Sequence, residues 1–181
     1  MKTNRINWLP AIATMTIALI FARPSLAADT VPAAAASVTR RVVVSIPDRK
    51  LALIENDQIV RIYQVAVGAA VSPSPVGSFS IVNRVANPTY YKTGKVIGPG
   101  SANPVGTRWI GLSAKGYGIH GTDQPRSIGF AKSHGCIRLR NEDVERLFEQ
   151  LRAGDVVELH AERTVEVALL FAEPAVPETG R

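Results

Sequence analysis

Cys136 is the single cysteine of a 181-residue chain, and His120 and His134 lie close to it in the segment Ile119–Leu139, IHGTDQPRSIGFAKSHGCIRL. A thiol attacks carbonyl carbon as the thiolate, so it needs either a lowered pKa or a base beside it. The segment supplies two imidazoles and a glycine, Gly135, immediately before the cysteine. A glycine there lets the backbone turn tightly, exposing the sulfur and aiming N–H groups at one point. Such donors stabilise a tetrahedral oxyanion, and losing one typically costs ~10²–10³ in rate. Other roles exist for these residue types. A lone cysteine is commonly a small buried hydrophobe, although the polar setting SHGC is a poor core context. His120, His134 and Cys136 are also zinc-ligand types, but the spacing of the last two is tighter than usual for paired ligands and no further cysteine joins them. No metal and no cofactor is expected. His160, on the last strand, is expected to pack or face solvent.

The beginning of the chain bears on what the thiol is for. Lys2 and Arg5 precede an apolar run, Trp8–Phe21, and Ser25-Leu26-Ala27 supplies small residues at a cleavage position. That is the layout of a secretory signal peptide over 1–27, with cleavage expected after Ala27. The run is shorter than the ~20 residues of a spanning helix, and Pro10 interrupts it. Cleavage removes Lys2, Arg5 and Arg23 and no acid, which lowers the formal charge from +6 to +3. So mild a balance suits an anionic envelope polymer and does not argue for nucleic acid. A single cysteine in an exported chain excludes an intramolecular disulfide framework. The thiol is then buried, paired with another chain, or kept as a nucleophile.

The elements that must position these residues read as mostly β. Arg41–Ile46, Leu51–Glu55, Ile59–Val67, Ser80–Val85 and Asp155–His160 are strand-like, with turns at Pro47-Asp48-Arg49 and Asn56-Asp57. Short strands at this spacing predict a sandwich or barrel. A long Gly-, Pro- and Asn-rich stretch, Asn87–Thr107, carries Tyr90 and Tyr91; stretches of this kind often line functional sites. One segment reads clearly as a helix. Asn141 is the expected N-cap, Glu142 and Asp143 fall in the first turn, and Val144, Leu147, Phe148 and Leu151 share a face. Residues 28–40 read as a flexible lead-in and 161–181 as a C-terminal extension, disordered from Glu173 onward. From composition and spacing the reading stops at an exported cysteine hydrolase or acyltransferase.

Four segments carry it further. HGT followed by SHGCIRL resembles the signature of the L,D-transpeptidase (YkuD-like) catalytic domain. SPSPVGSFSI, NPTYY and GPGSANPVGTRWIGL resemble further pieces of that family in the same order. The resemblance implies a β-sandwich-like catalytic domain over 41–160, with one clear helix after the cysteine. It implies Cys136 as nucleophile, His120 as general base, and the Gly121 carbonyl orienting the imidazole where other enzymes use a carboxylate. The N–H groups of Gly135 and Cys136 would hold the oxyanion. Ser133, His134, Arg138 and Tyr91 would serve the oxyanion or the substrate, with Arg138 set to meet a stem-peptide carboxylate. Arg138 stands where many members have Asn, which leaves its substrate role open to a plain structural ion pair.

The implied partners are peptidoglycan stem peptides, with an envelope lipoprotein as a further acceptor, and the implied state is a monomer in the periplasm. The implied reaction is acyl transfer through a thioester, releasing D-Ala and forming 3–3 cross-links. A hydrolase of the same fold would use the same residues, and a non-catalytic wall-binding module would keep only the scaffold.

Overall fold

The computed structural model describes residues 38–172; the expected signal peptide, most of the lead-in and the tail from Glu173 lie outside them. The chain opens with β1 (Arg40–Ser45), β2 (Lys50–Glu55) and β3 (Gln58–Gln64) as an antiparallel meander. Asn56 and Asp57 both take left-handed backbone, with φ of 49° and 61°. That is the geometry of a two-residue hairpin turn matched to strand twist. Short β4 (Val67–Gly68) follows, then the long β5 (Gly77–Ala86) and a small hairpin of β6 (Tyr90–Lys92) and β7 (Lys95–Ile97). Next come β8 (Arg108–Leu112), β9 (Gly118–His120), β10 (Ala131–Ser133) and β11 (Ile137–Arg138). The chain finishes with α1 (Asn141–Gln150), β12 (Val156–His160) and α2 (Val165–Phe171).

Eight strands form one mixed sheet in the order β11-β9-β8-β5-β12-β1-β2-β3. The sheet curls until its ends meet. Just past β3, Ala66 exchanges two backbone hydrogen bonds with Arg138 of β11, each 2.9 Å. The expected mostly-β, sandwich-like architecture is therefore present as one curled sheet. Inside the curl lie Val42, Val44, Leu51, Leu53, Ile110 and Ile119, covered by Val144, Leu147 and Leu151 at α1. A second cluster occupies the opposite face of β1 and β2, where Val43, Ala52 and Ile54 meet Val167 and Phe171 of α2. Being covered on both faces explains why β1 and β2 are continuous apolar runs rather than alternating ones.

One element adds to the expected set, and one expectation needs correction. The sequence shows one clear helix, yet α2 is a second; Thr164 Oγ1 accepts from Val167 N at 3.3 Å and caps it. Its run VEVALLF is short and β-branched at both early positions, so periodicity alone does not separate it from a strand. Asn141, expected as the N-cap of α1, is instead the first helical residue; Arg140 holds the cap position and contributes no side-chain cap. The Asn141 side chain reaches elsewhere, with a consequence described below.

Candidate active site

Cys136 sits in a three-residue loop between β10 and β11, and both strands are tied down. β10 pairs in parallel with β4, and β11 pairs in parallel with β9 so that Arg138 lies beside His120. Ser133 braces the loop from within, its Oγ donating to the Cys136 carbonyl at 2.5 Å and accepting from Gly135 N at 3.0 Å. Gly135 has φ of +106°, and a Cβ there would stand 2.5 Å from the Tyr117 ring and 3.0 Å from the Pro73 carbonyl. Only glycine meets both demands. Ser133 and Gly135 are thus the frame of the loop. The expected roles for both are oxyanion or substrate contacts; here the Gly135 N–H donates to Ser133 Oγ and neither residue lines the cavity. Local sequence could not show this, because the Ser133–Gly135 bond exists only once the turn has formed.

His120 ends β9 and is 4% exposed. Its Nδ1 lies 2.5 Å from the Gly121 carbonyl. A carbonyl only accepts, so Nδ1 carries the proton and Nε2 keeps its lone pair. The Trp109 ring stacks on the imidazole with centroids 5.6 Å apart, placed there by the register of β8 against β9 and by its own N–H bond to Asn83 Oδ1 at 3.1 Å. Trp109 was given no role from sequence. Burial lowers the His120 pKa to about 4; the Arg138 charge adds to the depression and the Gly121 hydrogen bond opposes it. Burial likewise raises the Cys136 thiol above its ordinary value, against the Gly118 N–H and Arg138, which pull it down. The sulfur lies 3.8 Å from the Gly116 carbonyl. Both shifts run toward the uncharged forms, the thiol and the neutral imidazole.

Cys136, His120, His134 and Arg138 open onto one cavity of about 760 Å³. Its opposite wall comes from the stretch that carried the long-loop prediction, including Pro88, Tyr90, Tyr91 and Pro104. That stretch is partly ordered as the β6–β7 hairpin, whose base is gathered by the buried Asn103. Its Nδ2 donates to the carbonyls of Pro88 at 2.7 Å and Gly98 at 3.1 Å, and its Oδ1 accepts from Val105 N at 2.9 Å. Tyr91 is 73% exposed at the rim, and His134 is exposed beside the cysteine. Arg138 is half-buried; it forms no ion pair among the described residues, and its buried Nε has no hydrogen-bond partner there. The structural ion pair weighed for it is absent among those residues, which leaves the guanidinium open to a ligand. His160 lies away from the cavity, 3.5 Å from Glu158.

The arrangement can be compared with known proteins. An L,D-transpeptidase catalytic-domain model, YkuD, matches residues 39–159. The chain is 39% identical over 118 residues to a putative L,D-transpeptidase YqjB of Bacillus subtilis, covering 62% of this chain and 66% of that one. It is 42% identical over 111 residues to a putative L,D-transpeptidase YkuD of Bacillus licheniformis, covering 61% and 59%. This chain thus spans roughly three fifths to two thirds of the length of these relatives. Among solved structures, an L,D-transpeptidase from Mycobacterium smegmatis shares the fold at a TM-score of 0.58 and 19% identity, covering 68% of this chain and 59% of that one. With the family model matched from just before the first strand into β12, the chain belongs to the YkuD family of L,D-transpeptidase catalytic domains.

Proposed function

We propose that the protein is a cysteine-dependent peptidoglycan L,D-transpeptidase. The observation that carries this reading is that Cys136 and His120 share one cavity wall while the Gly121 carbonyl holds the imidazole with Nε2 free to accept a proton. Cys136 Sγ attacks the carbonyl of the diamino acid in a tetrapeptide stem, at the amide joining its L-centre to D-Ala. As the S–C bond forms, the thiol proton passes to His120 Nε2 and the carbonyl oxygen becomes an oxyanion, which the Cys136 N–H stabilises. Collapse breaks the C–N bond, and the imidazolium returns its proton to the departing D-Ala amine. The side-chain amine of a second stem then attacks the thioester, His120 takes a proton from it, and a 3–3 cross-link forms as the thiol is regenerated. Arg138 meets the stem carboxylate, and Tyr91 and His134 contact the peptide at the rim. A lipoprotein lysine offers the same amine chemistry as an alternative acceptor. The basic, apolar and small-residue pattern of 1–27 supports export to the periplasm.

Intact-protein mass spectrometry with a tetrapeptide-stem muropeptide tests the reading. An acyl adduct on Cys136 that resolves to a 3–3 dimer when a second stem is supplied is the expected result. Resolution to tripeptide alone would replace transfer by hydrolysis. Folded protein with a free thiol and no adduct would leave only a binding module.

A further inference from the structure

The peptide group joining Gly121 to Thr122 is gripped from both ends. Its carbonyl accepts a hydrogen bond from His120 Nδ1 at 2.5 Å, and its N–H, that of Thr122, donates to Asn141 Oδ1 at 3.1 Å. In a trans peptide the C=O and N–H point opposite ways from one rigid plane, so holding one end fixes the other. Asn141 Oδ1 also accepts from Thr107 N at 3.3 Å, which ties the segment entering β8 to the same atom. A Cβ at Gly106 or Gly121 would collide with this oxygen, so both positions are glycine where Asn141 must come in. The asparagine itself stands on a firm base, the first residue of α1, whose Val144 and Leu147 are fully buried in the core.

We propose that Asn141 is a positioning residue for the acyl transfer, acting through the Gly121–Thr122 peptide to hold the carbonyl that selects the His120 tautomer. The inference rests on the reading of His120 as the base. A triad carboxylate bonds the imidazole directly; here a backbone carbonyl does so, and a side chain two bonds further along keeps that carbonyl aimed. The Asn141 hydrogen bond also polarises the peptide, strengthening its carbonyl as an acceptor. Thr122 is 3% exposed, so without Asn141 its N–H is left buried and unpaired. Rotation of the peptide plane relieves that penalty and turns the carbonyl away from Nδ1. The proton can then move to Nε2, where it blocks acceptance from the thiol.

The test compares Asn141→Ala with Asn141→Asp, which keeps the acceptor oxygen. Tautomer populations of His120 are read by ¹⁵N NMR without substrate, and acylation of Cys136 by the tetrapeptide-stem muropeptide is timed by mass spectrometry. The expected result is a single Nδ1–H tautomer in the wild type and in Asn141→Asp. Asn141→Ala should show a substantial Nε2–H population and acylate ~10–100-fold more slowly at saturating substrate, with little change in KM. An Nδ1–H tautomer retained in folded Asn141→Ala overturns the proposal, as does equal slowing in both variants with the tautomer unchanged. Should Asn141→Ala not fold, Asn141→Ser, whose shorter hydroxyl does not span both N–H groups, takes its place under the same criteria. If the wild type itself fails to acylate, the proposed function falls while the tautomer measurement still decides the role of Asn141.

Discussion

The wall that carries Cys136 and His120 is stitched on every side, whereas the wall facing it, the β6–β7 hairpin, is held chiefly at its base. On the first wall Gly118, Ile119 and His120 are buried, β9 is paired on both edges, and Ser133 locks the cysteine loop from inside. On the second, Tyr91 and Val96 are 73% and 67% exposed, and β6 and β7 pair only with each other. Buried, doubly paired backbone opens rarely, while a thin exposed hairpin opens at low cost. The division matches the two tasks. In the proposed reaction, proton transfer from thiol to imidazole depends on fixed geometry, and a peptide substrate must enter, dock and leave.

Breaking the stitched wall should give the largest effects. Cys136→Ala should abolish the acyl adduct entirely while leaving the circular dichroism spectrum unchanged, because no other described side chain on the cavity wall is a comparable nucleophile. An adduct surviving in that variant would move the nucleophile elsewhere. Replacing His120 by Gln should slow acylation by ~10²–10⁴-fold, the usual span for a general base.

The depressed His120 pKa gives the same wall a pH signature. Between about 4 and 6.5 the unfolded chain binds a proton at this residue that the folded protein refuses. Stability therefore falls as pH drops through that window, by roughly 3 kcal/mol in total. Urea unfolding at pH 7 and at pH 4.5 should show the loss, and His120→Gln should remove most of the difference. The raised thiol acts only above its own ordinary range, where the folded state retains the extra proton, so it does not contribute in the acid window. Iodoacetamide provides an independent check. A neutral thiol alkylates slowly at pH 7 and accelerates only in the alkaline range, so fast alkylation near pH 6 would reveal a thiolate–imidazolium pair instead.

How far these features could be read in advance follows from how local their causes are. The Val42–Val44 run, the Asn56-Asp57 turn and the apolar face of α1 are specified within a few residues, and each stands close to where the sequence puts it. Cys136, His120 and the Gly121 carbonyl were legible because the motif that contains them is short and ordered. The rest depends on register and on partners distant in sequence. Trp109 meets His120 only because β8 pairs with β9, and Asn103 reaches Pro88 only after the chain doubles back. Asn141 carries the local signal of a helix cap, yet two N–H groups 34 and 19 residues away claim its oxygen. α2 is hidden for a different reason. Seven apolar-rich residues with early β-branching suit a strand as well as a helix, and packing on the outer face of β1 and β2 decides.

The hairpin wall should respond to mutation more weakly and in a different parameter. Asn103→Ala removes the side chain that gathers Pro88, Gly98 and Val105, leaving the buried Pro88 carbonyl without that partner at a cost of about 1–3 kcal/mol. The expected outcome is a KM raised ~10-fold with the single-turnover acylation rate at saturation nearly intact, the scale of one lost polar anchor. A fall in that rate with KM unchanged would show that the two walls act as one unit.

The smallest effect should come from the rim. Tyr91 contributes a largely exposed ring with little packing to lose, so Tyr91→Ala should leave thermal stability within about 0.5 kcal/mol of the wild type. If the ring lies over the bound stem peptide, its loss raises KM a few-fold, because burying an aromatic face on a ligand is worth ~1 kcal/mol or more. His134→Ala makes the sharper comparison, since His134 is also exposed but sits on the chain of the stitched wall, two residues from the sulfur. A change confined to KM in both variants places His134 with the rim as a substrate contact. A change in the acylation rate for His134 alone would extend the catalytic wall outward to its exposed edge, and would mean that the imidazole beside the cysteine helps stabilise the transition state as well as the bound peptide.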